Sequence, residues 1–171
     1  TSGRITVIGT TNVLTTDVKI NGKDWTATDF DVDATTINSA STDVSGALAA
    51  NSLQATAIAQ KINENSGIHG VTARAFNTIT TTTSNYTAGA VAINGTTVNS
   101  RDTKELFVAA VTDEVVGVTA KIEADGRITF SNTDGASMQF AGAAPEIGIA
   151  DDIYGGFVEL SSANGNPISI T

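Results

Sequence analysis

The chain contains one histidine, His69, the only imidazole that could act as a general base. A catalytic serine needs such a base beside it, and the Gly-x-Ser-x-Gly turn that presents many nucleophilic serines does not occur in this sequence. His69 lies in Gly67-Ile68-His69-Gly70, which we predict to be a solvent-facing turn between a helix and a strand. The chain has no cysteine, so a thiolate nucleophile is excluded. We therefore assign no catalytic residue and predict that the protein is not an enzyme.

Three alternating acids, Asp29, Asp31 and Asp33, resemble the start of a calcium-binding loop. Such a loop also requires glycine at its sixth position and glutamate at its twelfth, where this chain has Ala34 and Ala40. We interpret the acids as one face of a strand and assign no metal ligand, with weak divalent binding as the alternative. The separate pair Asp151-Asp152 is expected in a solvated loop or at a helix end.

Carbohydrate and nucleotide chemistry also find little support in the sequence. Spacing alone allows paired carboxylates for glycoside hydrolysis, but one Trp and two Tyr leave few aromatic platforms for sugar rings. No phosphate-binding P-loop and no dinucleotide glycine motif is present. We predict no cofactor.

The charge of the chain disfavours two classes of partner. Its 18 acids and 9 bases give a formal net charge of −9. Nucleic acid and anionic membrane surfaces both require clustered Lys and Arg. No apolar run approaches the roughly 20 residues of a membrane span. We predict neither a nucleic-acid nor a membrane partner.

A pattern of strand, Asn-Gly turn, helix and second strand occurs twice. The strands and turns of the two copies read Val18-Lys19-Ile20-Asn21-Gly22 and Val91-Ala92-Ile93-Asn94-Gly95. The predicted helices are Ser52–Asn65, ended by Gly67, and Thr103–Glu114, capped by Asp102. The closing strands begin Gly70-Val71-Thr72-Ala73 and Gly117-Val118-Thr119-Ala120. Asn-Gly favours a type I′ turn, because both residues tolerate positive φ.

Composition and pattern together predict the fold class. We expect eight to ten short strands beside the two helices, including Arg4–Ile8, Asp29–Ile37 and Tyr86–Ile93. Asp125-Gly126 predicts a hairpin between two further strands. This predicts an α+β fold that is mainly antiparallel β, with two helices packed on the sheets and two related β-helix-β units. We expect two repeat-containing lobes, 1–84 and 85–171, or else one compact domain.

The repeated unit resembles the repeat of bacterial flagellins and of related hook-associated proteins. The similarity lies in Ile20-Asn21-Gly22, the helix Ala57-Ile58-Ala59-Gln60-Lys61-Ile62-Asn63 and Gly70-Val71-Thr72-Ala73, with Ile93-Asn94-Gly95 and Gly117-Val118-Thr119-Ala120 in the second copy. The second helix matches poorly. The stretches Gly126–Ser131 and Val158–Ile168 also look like flagellin outer-domain strands.

The resemblance implies a structural role. The chain would be the central, variable outer region of an extracellular flagellar filament protein that supports motility and antigenic display. Neighbouring flagellin subunits would be contacted through regions absent here, antibodies or host surfaces would be further partners, and the fragment would be monomeric. We expect a fragment or processed form, because the chain starts at Thr1 without Met.

Two alternatives remain. One is a junction or cap domain of a hook-associated protein. The other is an extracellular adhesin or glycan-binding module, with Thr80–Ser84 and Asp29–Asp33 as candidate contacts.

Overall fold

The computed structural model describes residues 18–27 and 54–171, and it has the predicted α+β architecture with antiparallel sheets. The strands expected at Arg4–Ile8 and Asp29–Ile37 lie outside the described residues. The helical elements are α1 (Gln54–Glu64), α2 (Ser66–His69), α3 (Lys104–Glu114) and one 3₁₀ turn (Ala144–Ile147). The strands are β1 (Lys19–Ile20), β2 (Lys23–Asp24), β3 (Val71–Thr80), β4 (Val91–Ile93), β5 (Thr96–Val98), β6 (Thr119–Ile122), β7 (Ile128–Asn132), β8 (Met138–Gly142), β9 (Asp152–Tyr154) and β10 (Phe157–Ser162).

These strands form a two-stranded sheet, β1-β2, and two four-stranded sheets in the orders β10-β3-β7-β6 and β5-β4-β8-β9. All of their pairings are antiparallel. Strand β3 is long enough to have different partners along its length. Its residues 71–76 pair with β10, and its residues 77–80 pair with β7.

The two Asn-Gly turns have the same geometry and share one hydrogen bond. Asn21 and Asn94 have φ of 53° and 50°, and the following glycines have 74° and 80°, which confirms the predicted type I′ turns. Each asparagine Oδ1 accepts a backbone N–H from a neighbouring segment. Asn21 accepts from Ser169 at 3.0 Å, and Asn94 accepts from Gln139 at 2.9 Å. The two copies therefore resemble each other in local structure as well as in sequence.

The strands that follow the helices are also equivalent. Thr72 lies opposite Ser161 in the β3–β10 pair, and Thr119 lies opposite Ser131 in the β6–β7 pair. In both pairs the threonine Oγ1 donates to the serine carbonyl, at 3.4 Å and 3.3 Å. Strand β10 thus corresponds to β7, and the segment that pairs with β1 around Ile170 corresponds to β8.

This correspondence shows that one copy is inserted into the other. Repeat one consists of β1, β2, α1, α2, β3, β10 and residues 166–171, whereas repeat two consists of β4, β5, α3, β6, β7 and β8. All of repeat two lies between β3 and β10 of repeat one. The lobe ranges 1–84 and 85–171 stay a prediction, and β10 from the second range completes a sheet of the first repeat.

Each repeat has its own hydrophobic core. The core of repeat one consists of Ile20, Trp25, Ala55, Ala59, Ile62, Val71, Ala75 and Val158. The core of the second repeat draws its buried residues from positions 79–149, and its centre is formed by Phe107, Phe130 and Phe140. Neighbouring rings of this trio meet edge to face, with centroids 6.4 Å and 5.1 Å apart.

Two local predictions were wrong. Gly67 does not end the first helical region, because it lies inside α2, and Gly70 with φ of 73° forms the C-cap instead. The N-cap of α3 is Thr103 and not Asp102, since the Thr103 hydroxyl accepts the N–H of Leu106 at 3.3 Å.

Candidate functional site

His69 is buried, contrary to the prediction of a solvent-facing turn, with only 3% of its surface exposed. Its Nδ1 accepts the N–H of Val71 at 3.2 Å, which places the ring proton on Nε2, where it is donated to the Ile62 carbonyl at 3.0 Å. The ring itself reaches the end of α1 at the Ile62 carbonyl, whereas Gly67 and Ile68 of the same turn are exposed. Both ring nitrogens are bound to main chain, so His69 ties the helical region to β3 and leaves no nitrogen for a nucleophile.

The acidic residues do not converge on a cation site in the part of the chain that the structure describes. Within residues 18–27 and 54–171, no group of three or more His, Asp or Glu side chains could hold a metal ion. Asp29, Asp31 and Asp33 lie outside the described residues. Asp151 and Asp152 are exposed, and Asp152 begins β9, where its Oδ1 accepts the N–H of Ile153 at 2.8 Å.

The shifted pKa values among the described residues belong to local contacts. A hydrogen bond from Thr129, aided by Lys121, lowers the pKa of Glu123. The backbone N–H and guanidinium of Arg127 lower the pKa of Asp125. Burial raises the pKa of Tyr86, whose hydroxyl donates to the Arg101 carbonyl at 2.8 Å. The two carboxylates lie at the β6–β7 turn, so these shifts report turn and loop contacts and not an acid–base pair.

A concavity in the second repeat has a volume of about 220 Å³. Three segments form it: the β4–β5 turn, the connection after α3, and the loop between β7 and β8. The lining residues are Asn94, Thr96, Val115, Val116, Gly117, Val118, Asn132, Asp134, Ala136 and Ser137. We call this concavity the turn pocket.

Hydrogen bonds inside the β7–β8 loop shape one wall of the turn pocket. The Asn132 side chain accepts from Gly135 at 3.0 Å and donates to the Ala136 carbonyl at 2.8 Å. Asp134 Oδ1 accepts the N–H of Ala136 at 2.9 Å, the Asx arrangement typical of tight turns. These side chains therefore hold the loop in place.

Asn94 also lines the turn pocket and differs from the loop residues. Its Oδ1 accepts the N–H of Gln139, whereas its Nδ2 donates to no atom among residues 18–27 and 54–171. The turn pocket therefore combines one available amide donor with apolar surface from Val115, Val116 and Val118. Such a site suits binding of a neutral acceptor.

The available amide of Asn94 was not predicted from the sequence. The sequence does contain a related feature, because the connection between helix and strand is shorter in the second copy. That difference points to the pocket only after the hydrogen bonds have shown which residues of the two copies are equivalent.

None of the helices in the described ranges has the length and apolar character needed to cross a bilayer. Comparison with protein-family models and with curated protein sequences finds no match.

Proposed function

We propose that this chain is a structural, surface-exposed outer domain of a bacterial flagellar filament protein, without catalytic activity. The observation that carries the proposal is the Ile-Asn-Gly repeat, present twice with the same turn and the same backbone hydrogen bond to the asparagine Oδ1. This is the unit whose sequence resembles flagellins and hook-associated proteins. In this role the two asparagines join each hairpin to a neighbouring segment of its own repeat.

The pairing of two segments that are distant in the sequence supports the same role. Lys19 and Thr171 exchange two backbone hydrogen bonds, of 2.7 Å and 3.0 Å, so these two segments run side by side. These two hydrogen bonds hold distant parts of the chain together, which suits a stiff display domain.

The internal connections also suit a domain exposed to shear. Strand β3 pairs with β10 in repeat one and with β7 in repeat two, so a force on either repeat reaches the other through a continuous hydrogen-bonded strand. The surface carries few charges and many hydroxyls, because 16% of residues are charged and Thr and Ser are abundant. Such a surface is hydrated, and the net charge of −9 disfavours self-association.

The direct experiment is immunogold labelling of intact cells of the bacterium that encodes this chain, with antibodies raised against the purified chain. We expect gold particles along the whole length of the flagellar filament, and none in a mutant that lacks flagella. Label confined to the filament tip or the hook junction would replace this proposal with the hook-associated alternative. Label on a surface without flagella would favour the adhesin alternative.

Solution behaviour supplies a second test of the same proposal. Since assembly would depend on regions outside this chain, we expect the isolated chain to sediment as a monomer of 17.4 kDa. Sedimentation velocity at increasing protein concentration would measure this. Spontaneous fibres or rings would contradict the proposed role.

A further inference from the structure

The space beside the Asn-Gly turn is filled differently in the two repeats. In repeat one, Asn21 Nδ2 donates to the main-chain carbonyl of His69 at 2.9 Å. His69 belongs to α2, which is also held by Asn65, whose Nδ2 donates to the Asp24 carbonyl at 2.6 Å. The first turn amide is therefore satisfied by a peptide carbonyl of its own repeat.

Repeat two has no counterpart of α2. Asn63 and Thr112 occupy equivalent positions, because each accepts the N–H of the third residue of its Val-Thr-Ala strand, at 2.7 Å and 3.1 Å. From Asn63 the chain takes seven residues to reach the left-handed Gly70, but from Thr112 it takes only five to reach Gly117. The connection in repeat two is two residues shorter, and the turn pocket lies where this connection passes the turn.

The shortening leaves a donor and an apolar wall unoccupied by the described residues. Asn94 is the equivalent of Asn21, and its Nδ2 has no partner in residues 18–27 and 54–171. Val116 lines the same pocket and is 75% exposed. A polar donor beside exposed apolar surface is the usual composition of a binding site for a small group.

We propose that the turn pocket binds a short, uncharged peptide segment of a partner protein, whose main-chain carbonyl accepts a hydrogen bond from Asn94 Nδ2. The equivalent amide in repeat one binds a peptide carbonyl, which favours a peptide over other acceptors. Asp134 at the pocket and the net charge of −9 disfavour an anionic ligand. The volume of about 220 Å³ is enough for a residue or two and less than drug-sized sites require.

The experiment uses the full chain, labelled with ¹⁵N, and the peptide acetyl-Ser-Gly-Ile-His-Gly-amide, which has the sequence of residues 66–70. We expect saturable chemical-shift changes at the Asn94 side-chain amide and at Gly117. Asn94→Asp retains the Oδ1 acceptor for Gln139 and the tolerance of positive φ, but it removes the donor. We expect this variant to weaken binding about tenfold, the loss of one hydrogen bond.

A second variant tests the apolar wall at an exposed position where folding is not at risk. Val116→Ala is expected to weaken binding roughly threefold, because part of the buried apolar area is lost. Ile68→Ala is the matched control, since Ile68 is 66% exposed in the other repeat and should leave binding unchanged. Absence of shifts at ~10 mM peptide, a weak affinity limit, would overturn the proposal. Unchanged binding by Asn94→Asp, or equal shifts produced by glucose in place of peptide, would also overturn it.

Discussion

His69 illustrates how a residue with catalytic potential can serve packing. Its two ring nitrogens bind the Ile62 carbonyl and the Val71 N–H. We predict that His69→Ala lowers the free energy of unfolding by about 2–4 kcal/mol, because it leaves a cavity and removes the hydrogen bonds that the ring makes to the Ile62 carbonyl and the Val71 N–H. Urea denaturation followed by circular dichroism measures this.

The neighbouring Ile68 provides the control for that measurement. It is 66% exposed, so Ile68→Ala should change stability by no more than about 0.5 kcal/mol. If His69→Ala were equally mild, the imidazole would not be the link between α1 and β3 that its contacts indicate.

Gly135 and Gly165 occupy equivalent turns but have different surroundings. Both have positive φ, of 78° and 73°. A Cβ on Gly135 would lie 2.5 Å from the Ala75 Cβ and 3.1 Å from the Phe76 N, whereas one on Gly165 would meet nothing within 4 Å. We predict that Gly165→Ala costs about 1–2 kcal/mol from backbone strain alone. Gly135→Ala should cost about 1–3 kcal/mol more, because β3 must move away.

The midpoints of urea unfolding for the two glycine variants make this comparison. Equal losses would contradict the close approach of the β7–β8 loop to β3. The test also reports on the contact between the repeats, because Gly135 belongs to repeat two and Ala75 to repeat one.

Residue-level features were predictable where they depend on local backbone chemistry. The positive φ of Asn21 and Asn94 follows from the Asn-Gly pair itself. The burial of His69 was not predictable, because it depends on how α2 packs against the rest of repeat one. The unpaired amide of Asn94 likewise depends on a connection that is short only in comparison with its counterpart.

Among the elements, the outer edge of β3 is covered by a side chain from the helix that packs on it. Asn63 accepts the Ala73 N–H at 2.7 Å and donates to the Ala73 carbonyl at 2.8 Å. The Asn63 side chain thus makes the two hydrogen bonds that a further strand would otherwise make to Ala73 at this edge. In repeat two Thr112 accepts only the N–H of Ala120.

We predict that Asn63→Ala lowers the free energy of unfolding by about 1 kcal/mol and speeds hydrogen exchange at the Ala73 amide. Exchange followed by NMR would detect this at one residue. Thr112→Ala is the matched variant and should affect the Ala120 amide alone. Unchanged exchange at Ala73 in Asn63→Ala would show that the β3 edge does not depend on this contact.

Element types were predicted better than element ends. Strand β3 and the β6–β7 hairpin follow from alternation and from Asp125-Gly126, which are local signals. The expected strand over Tyr86–Ile93 is confined to Val91–Ile93, because only this part finds partners in β5 and β8. Strand pairing depends on distant residues, so single-sequence patterns set strand limits poorly.

At the scale of the whole molecule, the order of the two copies along the sequence differs from their arrangement in the fold. The sequence showed two copies in succession, whereas the strand pairings place the second copy inside the first. Repeat one therefore needs β10 and residues 166–171, which follow repeat two in the sequence, to complete its sheet and to pair with β1. Repeat two draws its buried core from residues 79–149.

The insertion of one repeat into the other is tested most directly by unfolding two fragments in urea. Residues 77–155 contain repeat two, the part of β3 that pairs with β7, and β9. We predict that this fragment unfolds in one cooperative transition, because its core is complete. We predict that residues 1–84 show no cooperative transition, because β10 is missing. Cooperative unfolding of 1–84 alone, or an unfolded 77–155 fragment, would contradict the nested arrangement.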